Sequence, residues 1–139
     1  ELEAGAAEHN LAEQVQFRGA IYDNAAVAHE LYHADMLVSP GQIGLAGIHA
    51  HGLGCPVLTL TDRSNPAPEV EVIENGTTGV LIETLTAKAV ADGIEAWLAA
   101  RGRDRASVRV ACRERVAAHY TPAAQTELIM QAIRDVLDA

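Results

Sequence analysis

The sequence predicts an α/β fold: a three-layer domain in which helices cover a parallel sheet of about four strands, followed by a helical tail. Three observations predict it. Short apolar runs alternate with helix-period segments until about residue 85, the pattern of βαβ units. The 139 residues are 49% hydrophobic but only 4% aromatic, so the core must be built from Ala, Val, Leu and Ile, which suits packed layers. Glycine and proline gather between the runs, at Pro40-Gly41, Gly44 and Asn75-Gly76, where strand must give way to helix or the reverse. The length suits a single domain, residues 1–139, around one core.

The elements follow in order. Glu1 to Asn10 is a polar amphipathic segment that leads into "VQFRGA", read as a strand ending at Gly19. Asp23 or Asn24 then caps a helix running to about Ala34, because a short side-chain oxygen can accept from the first free amides. "DMLVSP" is a buried strand, Pro40-Gly41 a turn, and a helix is expected from about Gly44 to Leu53. Its apolar stripe is read as Leu45, Ile48, Gly52 and Leu53, with His49 at the border and His51 pointing to solvent. "PVLTL" is the next strand; Cys55, in the turn before it, has no basic neighbour in sequence and reads as a small packed residue. "TDRSNPAP" is a loop, in which Asp62 and Arg63 read as solvated. A short helix begins near Glu69, and Asn75-Gly76 supplies a left-handed cap before the strand "VLIE". From Thr86 the pattern is helical only, broken at Gly102 and Pro122.

Charge narrows the partners. Ten basic against nineteen acidic side chains leave a formal charge of −9, which repels a phosphate backbone, and no nucleic acid partner is expected. The two cysteines, Cys55 and Cys112, show no C-x-x-C spacing, no secretory signal pattern is present, and no apolar run approaches the ~20 residues of a membrane span. A reducing cytoplasm is the expected compartment. The opening Glu1 in place of Met suggests a processed or excised chain.

"HELYH", His29 to His33, matches H-E-x-x-H, a pattern in which two imidazoles on one helix face hold zinc and the glutamate activates water. The extended form requires Gly at 36 and His at 39, where this chain has Met36 and Ser39, and the strand "DMLVSP" follows at once. The plainer reading prevails: Val27, Leu31 and Ala34 form the buried stripe and His29, Glu30 and His33 stay wet. His9 and His119 are likewise assigned to helix surfaces. No metal is expected.

The stretch with chemistry is "SPGQIGLAGIHAHGLGCPVLTL", which joins a strand to a helix through Gly41 and Gly44. In an open parallel sheet, ligands gather at the carboxyl ends of strands, where glycines let backbone amides approach an anion. Together with "VQFRGAI", "LYHADMLVSP" and "PAPEVEVIENGTTGVLI", this stretch resembles the second, nucleotide-sugar-binding domain of retaining GT-B glycosyltransferases of the family four, or group 1, type. These segments cover nearly the whole chain in the right order.

The resemblance implies a Rossmann-like fold and specific tasks. Gly41, Gly44 and Leu45 would hold the donor diphosphate, Gly19, Ala20 and Ile21 would receive the nucleobase, and His49 and Glu69 would meet the ribose or sugar. Family members usually carry two glutamates eight positions apart; here those positions are Gly41 and His49. His49 can still donate to or accept from a hydroxyl. Glu69, after Pro68, also complements the amides of a helix start by itself.

Set against the family, this chain starts after the domain's first two strands, with their basic pair that clamps the diphosphate, and lacks the acceptor domain. No catalytic residue and no cofactor is therefore assigned, and the chain alone is expected to be inactive. Its partners would be a nucleoside-diphosphate sugar and the N-terminal acceptor domain of a parent protein working in the cytoplasm or at the inner membrane surface. Unpaired strand edges would favour self-association or movement of the "VQFRG" strand beside its successor. The function implied is donor binding in a glycosyltransferase of polysaccharide or glycoconjugate biosynthesis. Two alternatives are a nucleotide-sugar epimerase of GT-B fold, whose usual acidic residues after the glycine turn are missing from "GQIGLAGIHA", and a noncatalytic sugar-nucleotide-binding module.

Overall fold

The computed structural model describes residues 2–61 and 68–138. Asp62 and Arg63 lie outside them. Among the described residues ten elements follow one another: α1 (Leu2–Glu8), α2 (Asn24–His33), β1 (Leu37–Ser39), α3 (Leu45–Gly52), β2 (Val57–Leu60), a 3-10 turn (Pro68–Val72), β3 (Gly79–Ile82), α4 (Ala87–Arg101), α5 (Arg105–His119) and α6 (Pro122–Leu137). The three strands form one parallel sheet in the order β1-β2-β3, with Leu37 opposite Val57 and Val57 opposite Gly79.

The sheet has three strands where about four are expected. "VQFRGA" is exposed, irregular chain, and Val15 and Phe17 keep 37% and 46% of their surface in water. A strand needs a neighbour to satisfy its backbone, and this segment pairs with none of the described strands, so its apolar alternation alone does not make it one. Nor has it moved beside β1, whose outer edge stays unpaired among the described residues.

β2 is the centre, and its alternation builds both faces. Val57 joins Ile43, Ala50, Cys55, Val72 and Ile73 in one cluster, against which Leu31, Leu37, Leu81 and Val116 pack. Leu58 points the other way, to α4, where a Cβ on Gly93 would come within 2.9 Å of its Cδ1 and 3.3 Å of Val80. Helices thus cover both faces, in three layers. Burying Val57 and Leu58 completely stabilises the fold by about 2 kcal/mol each. A smaller cluster of Trp97, Val108 and Cys112 ties α4 to α5.

Local chemistry sets the helix boundaries. Asp23 caps α2 by accepting from the Ala26 amide at 2.8 Å, and Thr86 and Thr121 cap α4 and α6 in the same way. At the other end of α2, orphan carbonyls of Tyr32, His33 and Ala34 accept from Arg105 at 3.2, 2.8 and 2.9 Å, while Arg105 also pairs with Asp35 at 2.8 Å. Arg109 donates to the Tyr32 carbonyl and lies over the Tyr32 ring, 4.1 Å from its centre. Two arginines of α5 thereby anchor α2. Gly76 is left-handed, at φ 81°, but it serves the turn into β3 rather than the end of the 3-10 turn, and Asn75 holds that corner by accepting from the Leu81 amide at 3.0 Å. His9 sits in the turn after α1, not on a helix.

Candidate donor site

β1 ends at Ser39 and the chain turns through Pro40-Gly41 towards α3. Thr59, fully buried on β2, donates its hydroxyl to the Gly41 carbonyl at 2.8 Å, so the neighbouring strand fixes the turn from below. Ile43, 5% exposed, plugs the core under it. Gly44 is the N-cap of α3 at φ 54°, ψ −157°, a backbone state glycine enters without strain, and no side chain caps the helix. The first amides of α3 therefore have neither an intrahelical partner nor a capping side chain. That end is open to solvent: Gly41, Gln42 and Ala46 are exposed and Leu45 keeps 64% of its surface in water. Such an end attracts anions through its dipole and its amides together.

The buried face of α3 differs from the expected stripe. Gly47, Ala50 and His51 face the core, whereas Leu45 and Gly52 are exposed, because Gly47 lets α3 approach Ile43 and Val72 too closely for any side chain. A Cβ there would lie 2.9 Å from Ile43 Cγ1. His51, expected in solvent, is fully buried, and neither ring nitrogen makes a hydrogen bond. Burial, then the Arg115 charge, hold its pKa down to about 4, against a smaller opposing effect of the Cys55 backbone. Cys55 is packed in the core as expected, and burial pushes its thiol up.

Rotating His51 inward turns His49 outward. An open groove of about 290 Å³ runs between α2 and α3, with Ile21, Val27, Glu30 and Leu31 on one side, Ala46 and His49 on the other, and Leu37 between. Two of the expected residues, Ile21 and His49, thus meet in one groove, which adjoins the open amides of α3 through Ala46. Gly19 opens onto a different surface with Leu2, Phe17 and Arg18, and Ala20 is exposed beside it. Glu69 stands in the first turn of the 3-10 segment, half-buried, on the α3 side of the sheet where Val72 packs against Gly47.

Glu30 is the groove residue that sequence reasoning misses. Its place was legible: Val27, Glu30 and Leu31 stand at i, i+3 and i+4, one face of α2. Glu30 pairs with Arg18 at 3.0 Å. His29 and His33 stack at 4.3 Å between ring centres, and His33 Nδ1 lies 3.0 Å from the His29 carbonyl, to which it donates in the matching tautomer. Among the described residues no three His, Cys, Asp or Glu side chains are grouped to hold a metal ion, and no helix is long and apolar enough to cross a membrane.

Residues 1–115 match the protein family described as glycosyl transferases group 1. Among solved structures, the sucrose-phosphate synthase of Thermosynechococcus elongatus is similar at a TM-score of 0.73 and 26% identity, over 99% of this chain and 34% of that one. The chain therefore spans about a third of that synthase's length. Comparison with curated proteins finds no match. A parallel sheet, a helix that starts from a glycine at its carboxyl edge and a family match over 115 of 139 residues lead to one conclusion: this chain belongs to the group 1 glycosyl transferases.

Proposed function

We propose that this chain is the donor-binding part of a retaining glycosyltransferase that uses a nucleoside-diphosphate sugar to build a polysaccharide or glycoconjugate. The observation that carries the reading is the uncapped, exposed amide end of α3, held by the Thr59 bond to Gly41 and continuous with the groove of Ile21 and His49. The diphosphate sits on the amides at Gly44 and Leu45, beside Gly41. The ribose lies near His49, which offers both a donor and an acceptor, the base lies towards Ile21, with Gly19 and Ala20 at the segment leading in, and Glu69 approaches the sugar. Family membership and the likeness to a sucrose-phosphate synthase support the reading.

Transfer itself needs more than this surface. A departing nucleoside diphosphate must be neutralised in a closed, water-poor cleft, and an amide end supplies only a partial positive charge. Acceptor binding and the closing wall belong to a second domain of the parent protein, so residues 1–139 bind a donor without turning it over.

Saturation-transfer NMR with a panel of nucleoside diphosphates tests this. At least one nucleotide should receive saturation on its base and ribose protons. Silence towards every nucleotide would remove the donor reading.

A further inference from the structure

The groove between α2 and α3 contains one carboxylate with no part in the assignment above. Glu30 lines the groove with Val27 and Leu31, yet its side chain is 44% exposed, so its charged end stands at the rim. Opposite, Ala46 and His49 lie three residues apart on α3. Three helical residues rise about 4.5 Å, close to the reach of a pentose between a phosphate and a base. A ligand laid from the α3 amides along the groove meets His49 at its sugar, and Ile21, Leu31 and Glu30 at its base.

Flat rings of every nucleobase suit such apolar walls, and the edge shown to Glu30 tells them apart. An ionised carboxylate only accepts hydrogen bonds and has about four positions to do so. Arg18 takes one of them, at 3.0 Å, and leaves the rest. Guanine carries two adjacent donors on one edge, the ring N–H and the exocyclic amino group, which match two carboxylate oxygens. Uracil shows a single N–H between two carbonyls that would face the carboxylate unfavourably. Adenine shows one amino group beside a bare ring nitrogen.

We infer that the groove selects a guanosine diphosphate donor, with Glu30 as the residue that reads the base and Arg18 as the residue that positions it. The inference rests on the donor-binding reading above and adds the base to it.

Calorimetric titration of the full-length protein with GDP, IDP, UDP and ADP tests it. GDP should bind about tenfold or more tighter than UDP and ADP, the discrimination a bidentate pair provides, with IDP, which lacks the exocyclic amino group, in between. Glu30→Gln should erase the guanine preference, because an amide offers one acceptor oxygen in place of two and no longer opposes the uracil carbonyls, and an unchanged far-UV circular dichroism spectrum reports an intact fold. Arg18→Gln, which frees the carboxylate to swing, should weaken GDP more than UDP. Equal binding of all four nucleotides, or a Glu30→Gln protein that keeps its guanine preference, overturns the inference and leaves the donor reading standing. Binding of none overturns both.

Discussion

"PVLTL" and "VQFRGA" are both short apolar runs, and they end in opposite states. Val57, Leu58 and Thr59 are fully buried, with a parallel partner on each side of the strand. Val15 and Phe17 are partly in water and pair with none of the described strands. Intrinsic preference is the same in kind; neighbours differ. The contrast teaches that extended structure here is a property of pairing, and it divides the candidate site. The proposed phosphate end rests on the paired side, through Thr59 and Gly41, whereas Gly19 and Ala20 lie on the exposed, unpaired side.

The contrast breaks most completely at Gly79. It faces Val57 across the β2–β3 ladder, and a Cβ there would sit 2.0 Å from the Val57 carbonyl oxygen and 3.0 Å from Ile73 Cγ2. Backbone cannot step aside without parting the strands, so Gly79→Ala should cost about 4 kcal/mol, a large part of a small domain's stability. Gly41→Ala meets nothing within 4 Å and should cost less than about 1 kcal/mol. Urea denaturation of the two variants measures the difference. Similar midpoints would mean that the ladder yields more readily than its geometry implies.

A second, smaller effect separates the buried histidine from the rest of α3. His51 takes a proton near pH 6.5 when unfolded but only at about 4 when folded, where it is enclosed and faces the Arg115 guanidinium of α5. Between those values the unfolded state binds more protons, so stability falls as pH drops from about 6.5 and is lower by roughly 3 kcal/mol once pH is below about 4. Arg115 also donates to the Glu71 carbonyl at 2.8 Å, so this loss should be felt in the turn that carries Glu69. His51→Leu should flatten that part of the stability profile, followed by urea midpoints across the same range. A variant as acid-sensitive as the parent would place the effect on other groups.

These cases show what was legible beforehand. Caps and breakers are local chemistry, so Asp23, Gly44, Gly102 and Pro122 mark boundaries that the structure keeps within a residue or two. Strand number is not local: nothing inside "VQFRGA" states whether a neighbour exists. On α3 the apolar pattern points to Leu45, Ile48, Gly52 and Leu53 as the buried side, and of these Ile48 packs against the core while Leu45 and Gly52 are exposed. What brings the helix close is a residue with no side chain, Gly47, and His51 is carried inward with it. His49 and Ile21 line one groove, a juxtaposition no local pattern in the sequence states, and Glu30 is obscured by the metal motif around it.

The smallest effect sharpens the contrast from the loose side. Arg18 and Glu30 are 58% and 44% exposed, and their pair is the one ion pair among the described residues that ties the 11–22 segment to α2. An exposed pair of this kind contributes about 0.5 kcal/mol or less, because water and salt screen it and two long side chains must be held still. Arg18→Gln should therefore shift the urea midpoint barely beyond error, and raising the salt concentration should remove even that. A loss well above about 1 kcal/mol would show the segment docked far more firmly than its exposure implies. The proposed base end would then rest on a wall as rigid as β2, and the division of the candidate site into a fixed end and a loose end would fail.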